Sequence, residues 1–232
     1  MNSNHVYVLI HSPLVGPLTW VLVTDQMRQH GLDMIVPILK DSSDSKEPFW
    51  EQHAASVSQA LANIPKDIPI TLVAHSGAGP LLPAIRKSFA NPINAYVFVD
   101  AGIPRDRATR LDLMKSENPE WAEQLQAELE RGERFPNWSS NDLREIIPNE
   151  NLRKQLVAEI HPRALDFFTE SIPVFQGWPD TPCIYILFSA PYVRAEIQAR
   201  QAGWKTYKLD GGHFHMLVDA SAVADMIVEA TQ

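Results

Sequence analysis

Three side chains in this sequence have the types and the surroundings to make an alcohol reactive. Ser76 stands in "TLVAHSGAGPLLPAI", where a β-branched apolar run enters a His-Ser-Gly turn and leaves through small residues into an apolar helical pattern. A serine hydroxyl is a poor nucleophile until a base takes its proton. His213, in "KLDGGHFHMLVD", follows a strand-like run, sits on a Gly-Gly loop and precedes the last helical pattern, which suits that base. His215 competes, but the next helix begins close behind it, which would aim it at a lid or at solvent. A carboxylate must then orient the imidazole and stabilise its charged form. In a sheet of this kind it usually follows the next-to-last strand, here "CIYILFSAPYVRAE". That place holds Ser189, Ala190, Pro191 and Tyr192, and Glu196 comes too late. Asp100 closes "AYVFVD", one strand earlier. An Asp ending an apolar strand is costly without a partner, and a histidine would be one. Asp100 is therefore assigned to this role, the alternative being a structural cap.

The turn around Ser76 has its own steric logic. A residue on a sharp strand-to-helix turn is held in strained backbone angles, and the positions two before and two after it must be small; the usual signature is G-x-S-x-G. Here it reads Ala74, His75, Ser76, Gly77, Ala78, in which alanine meets the demand at both places. Gly79 and Pro80 then open a helix whose N-terminal N–H groups would face an oxyanion formed at Ser76. The bland alternative is a tight turn with no chemistry. His75 reads as a packing or pocket-edge residue, and Tyr192 and Arg194 fit a solvated loop at least as well as a pocket.

The elements that must position these residues alternate. Strands are predicted at Val6–Ile10, Asp33–Leu39, Pro69–Ala74, Ala95–Asp100, Cys183–Phe188 and Lys205–Leu209. Helices are predicted at Leu18–His30 (stopped by Gly31), Trp50–Asn63, Pro80–Ala90, Val193–Ala202 and Ala220–Ala230. Near-continuously apolar strands alternating with helices imply an α/β fold, a mostly parallel sheet with helices on both faces. From Arg105 to about Asp180 no strand is expected. "RLDLMKSENPEWAEQLQAELERG" and "NENLRKQLVAEIHPRALDFFTES" read as helical, and the acidic run within the first as a solvated helix face. The division expected is a core of residues 1-103 and 181-232 with a helical cap, 104-180, inserted after the fourth strand. Ligands of such sheets bind at the carboxyl edge, under the cap. Trp121, Phe135, Trp138, Phe167, Phe168 and Trp178 would form the cap core, some of them roofing the pocket.

Bulk properties describe an ordinary soluble globular protein. The chain has 232 residues, 45% of them hydrophobic, and a net charge of -8 with scattered cations, which argues against nucleic acid or an anionic membrane as the partner. Cys183 is the one cysteine, so no internal disulfide forms and a reducing, cytoplasmic location is expected. "MNSNHVYVLIHSP" lacks a signal-peptide pattern, and no apolar run reaches the roughly 20 residues that span a bilayer. His5, His30, His53 and His161 show no metal-ligand spacing, and "GAGPLL" lacks the G-x-G-x-x-G spacing, so neither metal nor cofactor is expected. The oligomeric state is open, a homodimer included.

Together, "HSPLVGPLTW" after the first strand, "AHSGAG" after the third and "GGHFHMLVD" before the last helix make the chain resemble the α/β-hydrolase superfamily, in particular its small hydroxynitrile lyase and methyl esterase-like branch. The resemblance spans nearly the whole chain and implies a serine hydrolase acting on an ester, thioester or lactone, or a lyase, isomerase or cyclase using the same residues for acid–base chemistry. A small-molecule binding protein is the third reading. The resemblance further implies that His11, Ser12, Pro13 and Leu14 form the oxyanion loop, with His11 holding it and Gly77 N–H as the other donor. The position expected to give an N–H is Pro13, which has none; the Ser12 hydroxyl or Leu14 N–H would have to substitute. The acid at Asp100 rather than after the later strand is the second departure.

Overall fold

The computed structural model describes residues 5–232; the absence of a signal-peptide pattern is read partly on residues 1–4, which lie outside them. Six strands form one sheet: β1 (Val6–Ile10), β2 (Asp33–Ile35), β3 (Ile70–His75), β4 (Ile93–Val99), β7 (Cys183–Leu187) and β8 (Lys205–Lys208). Their order is β2-β1-β3-β4-β7-β8 and every neighbour is parallel. The apolar runs exist because both faces are covered. Val6, Val8 and Ile10 point into one core, Tyr7 and Leu9 into the other. All of β1, β3 and β7 is buried, whereas the edge strands β2 and β8 are short and partly exposed.

Helices α1 (Leu18–Gln29), α2 (Phe49–Ala60), α3 (Leu82–Lys87), α8 (Val193–Gln201) and α9 (Ala220–Thr231) cover the sheet. Gly31 ends the first of these turns at φ 71°, in the left-handed region that glycine enters without a Cβ penalty. The second strand is shorter than expected and stops at Ile35, ahead of Pro37, which has no N–H to give a ladder.

The segment between β4 and β7 carries four helices, α4 (Arg110–Glu117), α5 (Pro119–Glu130), α6 (Glu150–Ala158) and α7 (Leu165–Thr169), with a long loop between α5 and α6. It departs from expectation in two ways. Each long helical pattern is broken. Asn118 ends α4 at φ -144° and accepts from Trp121 N–H to cap α5, whose first residue is Pro119. Pro162 lies in the corresponding break between α6 and α7. A two-stranded antiparallel ladder also occurs where no strand was expected, pairing β5 (Ala108–Thr109) with β6 (Ser171–Ile172). Two residues are too few for any periodicity to register. Leu111, Leu125, Leu129, Phe167 and Phe168 form this segment's own apolar cluster, joined by Leu14 of the loop after β1. Trp178 is not part of it; its ring packs on Tyr96 and Phe98 of β4.

Candidate active site

The carboxyl ends of β3, β4, β7 and β8 bring the chemistry together. Ser76 follows β3 directly at φ 58°, and Asp100 follows β4 at φ 46°. Such angles cost a non-glycine residue on the order of 1–3 kcal/mol and persist where the surroundings over-determine them. At Ser76 the surroundings are tight. Ala74 and Ala78 are fully buried, and a Cβ on Gly79 would lie 2.2 Å from the Gly102 carbonyl oxygen. Pro80 interrupts the hydrogen-bond ladder, so residues Ser76–Leu81 wind as a 3-10 helix and α3 starts only at Leu82, later than expected. Gly77 N–H is at the start of that 3-10 turn, where N–H groups have no partner within the helix.

Asp100, His213 and Ser76 form an unbroken hydrogen-bonded line. His213 Nδ1–H donates to Asp100 Oδ2 at 2.8 Å, and His213 Nε2 meets Ser76 Oγ at 3.0 Å. A neutral imidazole that donates through Nδ1 carries its lone pair on Nε2, so the serine O–H donates there. Asp100 is wholly buried, and its cost is met in full: Oδ1 accepts from Phe188 N–H and Ser189 N–H, each at 2.9 Å, and Oδ2 accepts from Ser189 Oγ–H besides His213. The loop after β7, which has no acid, thus supplies the donors that hold the acid of β4.

His75 is fully buried behind the site. Burial, then the neighbouring His213, push its pKa well down, and its Nε2–H donates to the His213 carbonyl at 2.9 Å. His215 is turned away, its ring against Phe188 and beside Gly211.

Tyr192 was left between loop and pocket by the sequence, and the structure puts it beside Ser76. Its hydroxyl is 3.2 Å from Ser76 Oγ, and its ring stacks on His213 at 4.9 Å between centroids and 7° between planes. Burial, and secondarily the Asp100 and Glu117 charges, raise its pKa, with the Ser76 bond opposing, so the phenol stays protonated. Arg194 instead faces solvent and donates to Ser116 at the end of α4. Trp138, between β4 and β7, packs edge-on against Phe214, the neighbour of His213, at 6.0 Å between ring centroids.

The loop after β1 lies on the other side of β3. His11 is buried, and burial lowers its pKa to about 4. Nδ1–H donates to the Ser12 carbonyl and Nε2 accepts from Leu39 N–H, so the ring is a neutral brace. Leu14 N–H is turned to Ser12 Oγ at 3.3 Å, and the Pro13 carbonyl accepts from Arg163 at 3.1 Å. Ser12 Oγ lies 3.2 Å from where a Cβ on Gly77 would be. With Leu14 N–H bonded to Ser12 Oγ, the Ser12 hydroxyl keeps its proton for another acceptor. Arg163 also grips Asp41, which bonds His53 at 2.7 Å. Burial alone would raise the Asp41 pKa, but these two partners hold it at about 2.

Two surface hollows of about 380 and 390 Å3 lie elsewhere, one lined by Ser42–Phe49 residues and Glu170, the other by Arg86, Phe175 and Trp178; neither reaches Ser76. Among the described residues no cluster of His, Cys, Asp or Glu could hold a metal ion, and no helix is long and apolar enough to cross a membrane.

The sequence profile described as the alpha/beta hydrolase family matches residues 8–226. The chain belongs to the α/β hydrolase family. No curated protein matches this α/β hydrolase in sequence. Solved structures do match its fold. An extracellular α/β-hydrolase from a Paenibacillus species is 18% identical, with 97% of this chain and 98% of that one covered and a TM-score of 0.75. Tomato methylketone synthase I, complexed with 2-tridecanone, is 14% identical over 97% and 96% of the two chains, with a TM-score of 0.73. A methylesterase from Arabidopsis is 15% identical over 97% and 98%, with a TM-score of 0.69. At these identities the likeness is one of fold.

Proposed function

We propose that this α/β hydrolase cleaves a small to medium, largely apolar carboxylic ester, thioester or lactone through an acyl-enzyme on Ser76. The observation that carries the reading is the line from Asp100 through His213 to Ser76. Ser76 Oγ attacks the carbonyl carbon while its proton passes to His213 Nε2. Asp100 holds the imidazole in the tautomer that can accept it and stabilises the cation that results. Gly77 N–H and the Ser12 hydroxyl donate to the oxyanion, Ser12 in place of the N–H that Pro13 lacks. The leaving group takes the proton from His213, and water reverses the sequence. His75 and His11 position the two loops without exchanging protons.

Residues 104–180 act as a cap over an apolar substrate, on a core of 1–103 and 181–232. A cytoplasmic location is in keeping with the single cysteine. The fold likeness to an Arabidopsis methylesterase is compatible with ester cleavage.

Pro13 favours a second reading, a lyase, isomerase or cyclase in which less charge develops on oxygen and the same three residues do acid–base work. The experiment that separates the two is fluorophosphonate labelling with intact-mass detection, alongside turnover of an activated ester. The wild type is expected to gain one label on Ser76 and Ser76→Ala none, with ester turnover lost. Labelling elsewhere, or unchanged turnover in Ser76→Ala, removes Ser76 from the mechanism. Turnover of a carbonyl or polyene substrate with no acyl-enzyme moves the assignment to the second reading. Ligand binding with no catalysis to lose would leave a binding protein.

A further inference from the structure

Ser76 Oγ has two polar neighbours, and the acyl-transfer mechanism above uses only one of them. The second, the Tyr192 hydroxyl at 3.2 Å, has its hydrogen-bond direction fixed by the rest of the line. His213 Nδ1–H is committed to Asp100, so Nε2 accepts and the serine proton points at it. The serine oxygen can then only accept from Tyr192. The phenol is thus a proton-bearing donor aimed at the oxygen whose bond to the acyl carbon is made and broken.

Its place in the sheet separates it from the oxyanion donors. Those come from the loop after β1 and from Gly77, whereas Tyr192 comes from beyond β7, with β4 between that strand and β3. It reaches Ser76 from the side of His213, with its ring flat against the imidazole. We infer that Tyr192 is a catalytic residue of deacylation, donating a hydrogen bond to Ser76 Oγ as the acyl-enzyme bond breaks. This inference rests on the acyl-enzyme reading above. In that step water adds to the acyl carbon and gives a proton to His213 Nε2. The bond from carbon to Oγ then breaks, its electron pair stays on Oγ, and His213 returns the proton there. Tyr192 keeps its own proton throughout and stabilises the charge on Oγ until the transfer is complete. The donor meets the same charge when Ser76 attacks, but the resting hydroxyl oxygen already accepts from Tyr192. The ester oxygen of the acyl-enzyme is a weak acceptor, so the gain is larger on release than on attack.

The test is Tyr192→Phe, which keeps the stacked ring and removes only the donor. The acyl-enzyme is formed with a p-nitrophenyl ester, and its decay is followed directly by rapid quench and intact mass. Fluorophosphonate labelling reads the attack step separately. Deacylation is expected to slow about tenfold to hundredfold, the worth of a hydrogen bond to a charged oxygen, while labelling slows by a clearly smaller factor. Unchanged deacylation overturns the inference. So does a parallel fall in labelling and deacylation, which would make Tyr192 a shaping residue for His213. Failure of the wild type to label at Ser76 overturns the acyl-enzyme reading and this one with it. A labelled wild type with unaltered deacylation in Tyr192→Phe removes Tyr192 alone.

Discussion

Replacing Asp100 by Asn tests the geometry of the site with almost no change of shape. The Asn oxygen keeps the Oδ1 position and still accepts from Phe188 N–H and Ser189 N–H. Its amide nitrogen takes the Oδ2 position, where two donors now arrive. Ser189 can rotate its hydroxyl and accept from the amide. His213 must accept as well, and can do so only by moving its own proton from Nδ1 to Nε2. That proton then points at Ser76, and the base is gone. Where a triad Asp has been changed to Asn with its geometry kept, the loss is about 10⁴ in kcat, equivalent to about 5 kcal/mol of barrier. We expect Asp100→Asn to be labelled by a fluorophosphonate about 10⁴-fold more slowly than the wild type, with a melting temperature near that of the wild type. Ala would be the poorer choice. It leaves two buried N–H groups without an acceptor, at about 1–3 kcal/mol each, and loss of fold would mimic loss of chemistry. Labelling of a folded Asp100→Asn protein within about tenfold of wild type would refute the tautomer argument and the role of Asp100 with it.

Pro13→Ala restores an N–H in the loop after β1 and is expected to speed labelling by up to about 10²-fold if that N–H faces the oxyanion; no change would show that it does not. Gly79→Ala puts a Cβ 2.2 Å from the backbone oxygen of Gly102, an atom that cannot swing aside, so the variant is expected to be insoluble or to melt far below the wild type. Native-like melting would mean that the turn can widen. Burial holds His11 at a pKa of about 4 in the fold, below the 6.5 of an unperturbed histidine. The unfolded chain therefore binds the extra proton first, so stability is full above about pH 6.5 and falls by about 3 kcal/mol as pH drops to 4. Melting curves of the wild type and His11→Gln between pH 7 and pH 4 check this, and equal slopes would refute it.

The strands were legible because a sheet covered on both faces leaves nowhere for polar side chains, so β1, β3 and β7 read as unbroken apolar runs. Ser76 was legible from the small residues that its backbone angle requires, and Asp100 from the cost of ending an apolar strand with a carboxylate. Ser189 and Tyr192 were not. They meet the site only because β7 lies beside β4 in the sheet, a pairing between chain positions some distance apart that no local pattern announces. The pairing of Ala108–Thr109 with Ser171–Ile172 was hidden because two-residue strands are too short to show a period. The break between α4 and α5 is different. Asn118 followed by Pro119 is an N-cap signature that stood in the sequence and was overridden by the apolar periodicity on either side.

The absence of an acid after β7 and the placement of Tyr192 are structurally linked. With the carboxylate on β4, the loop after β7 is released from carrying charge, and its backbone N–H groups and Ser189 hydroxyl become the cradle for the charge next door. A loop that folds over Asp100 in this way continues into the 3-10 turn Ala190–Tyr192, which delivers the phenol to Ser76. A carboxylate at the end of β7 would have repelled Asp100 and left His213 with two competing partners. Moving the acid therefore both requires donors in this loop and makes room for the tyrosine. The acid at Asp100 and the tyrosine at position 192 are thus expected to be inseparable. Returning an acid to the β7 loop without removing Asp100 would place two like charges around one imidazole, where each repels the other and competes for the single Nδ1–H.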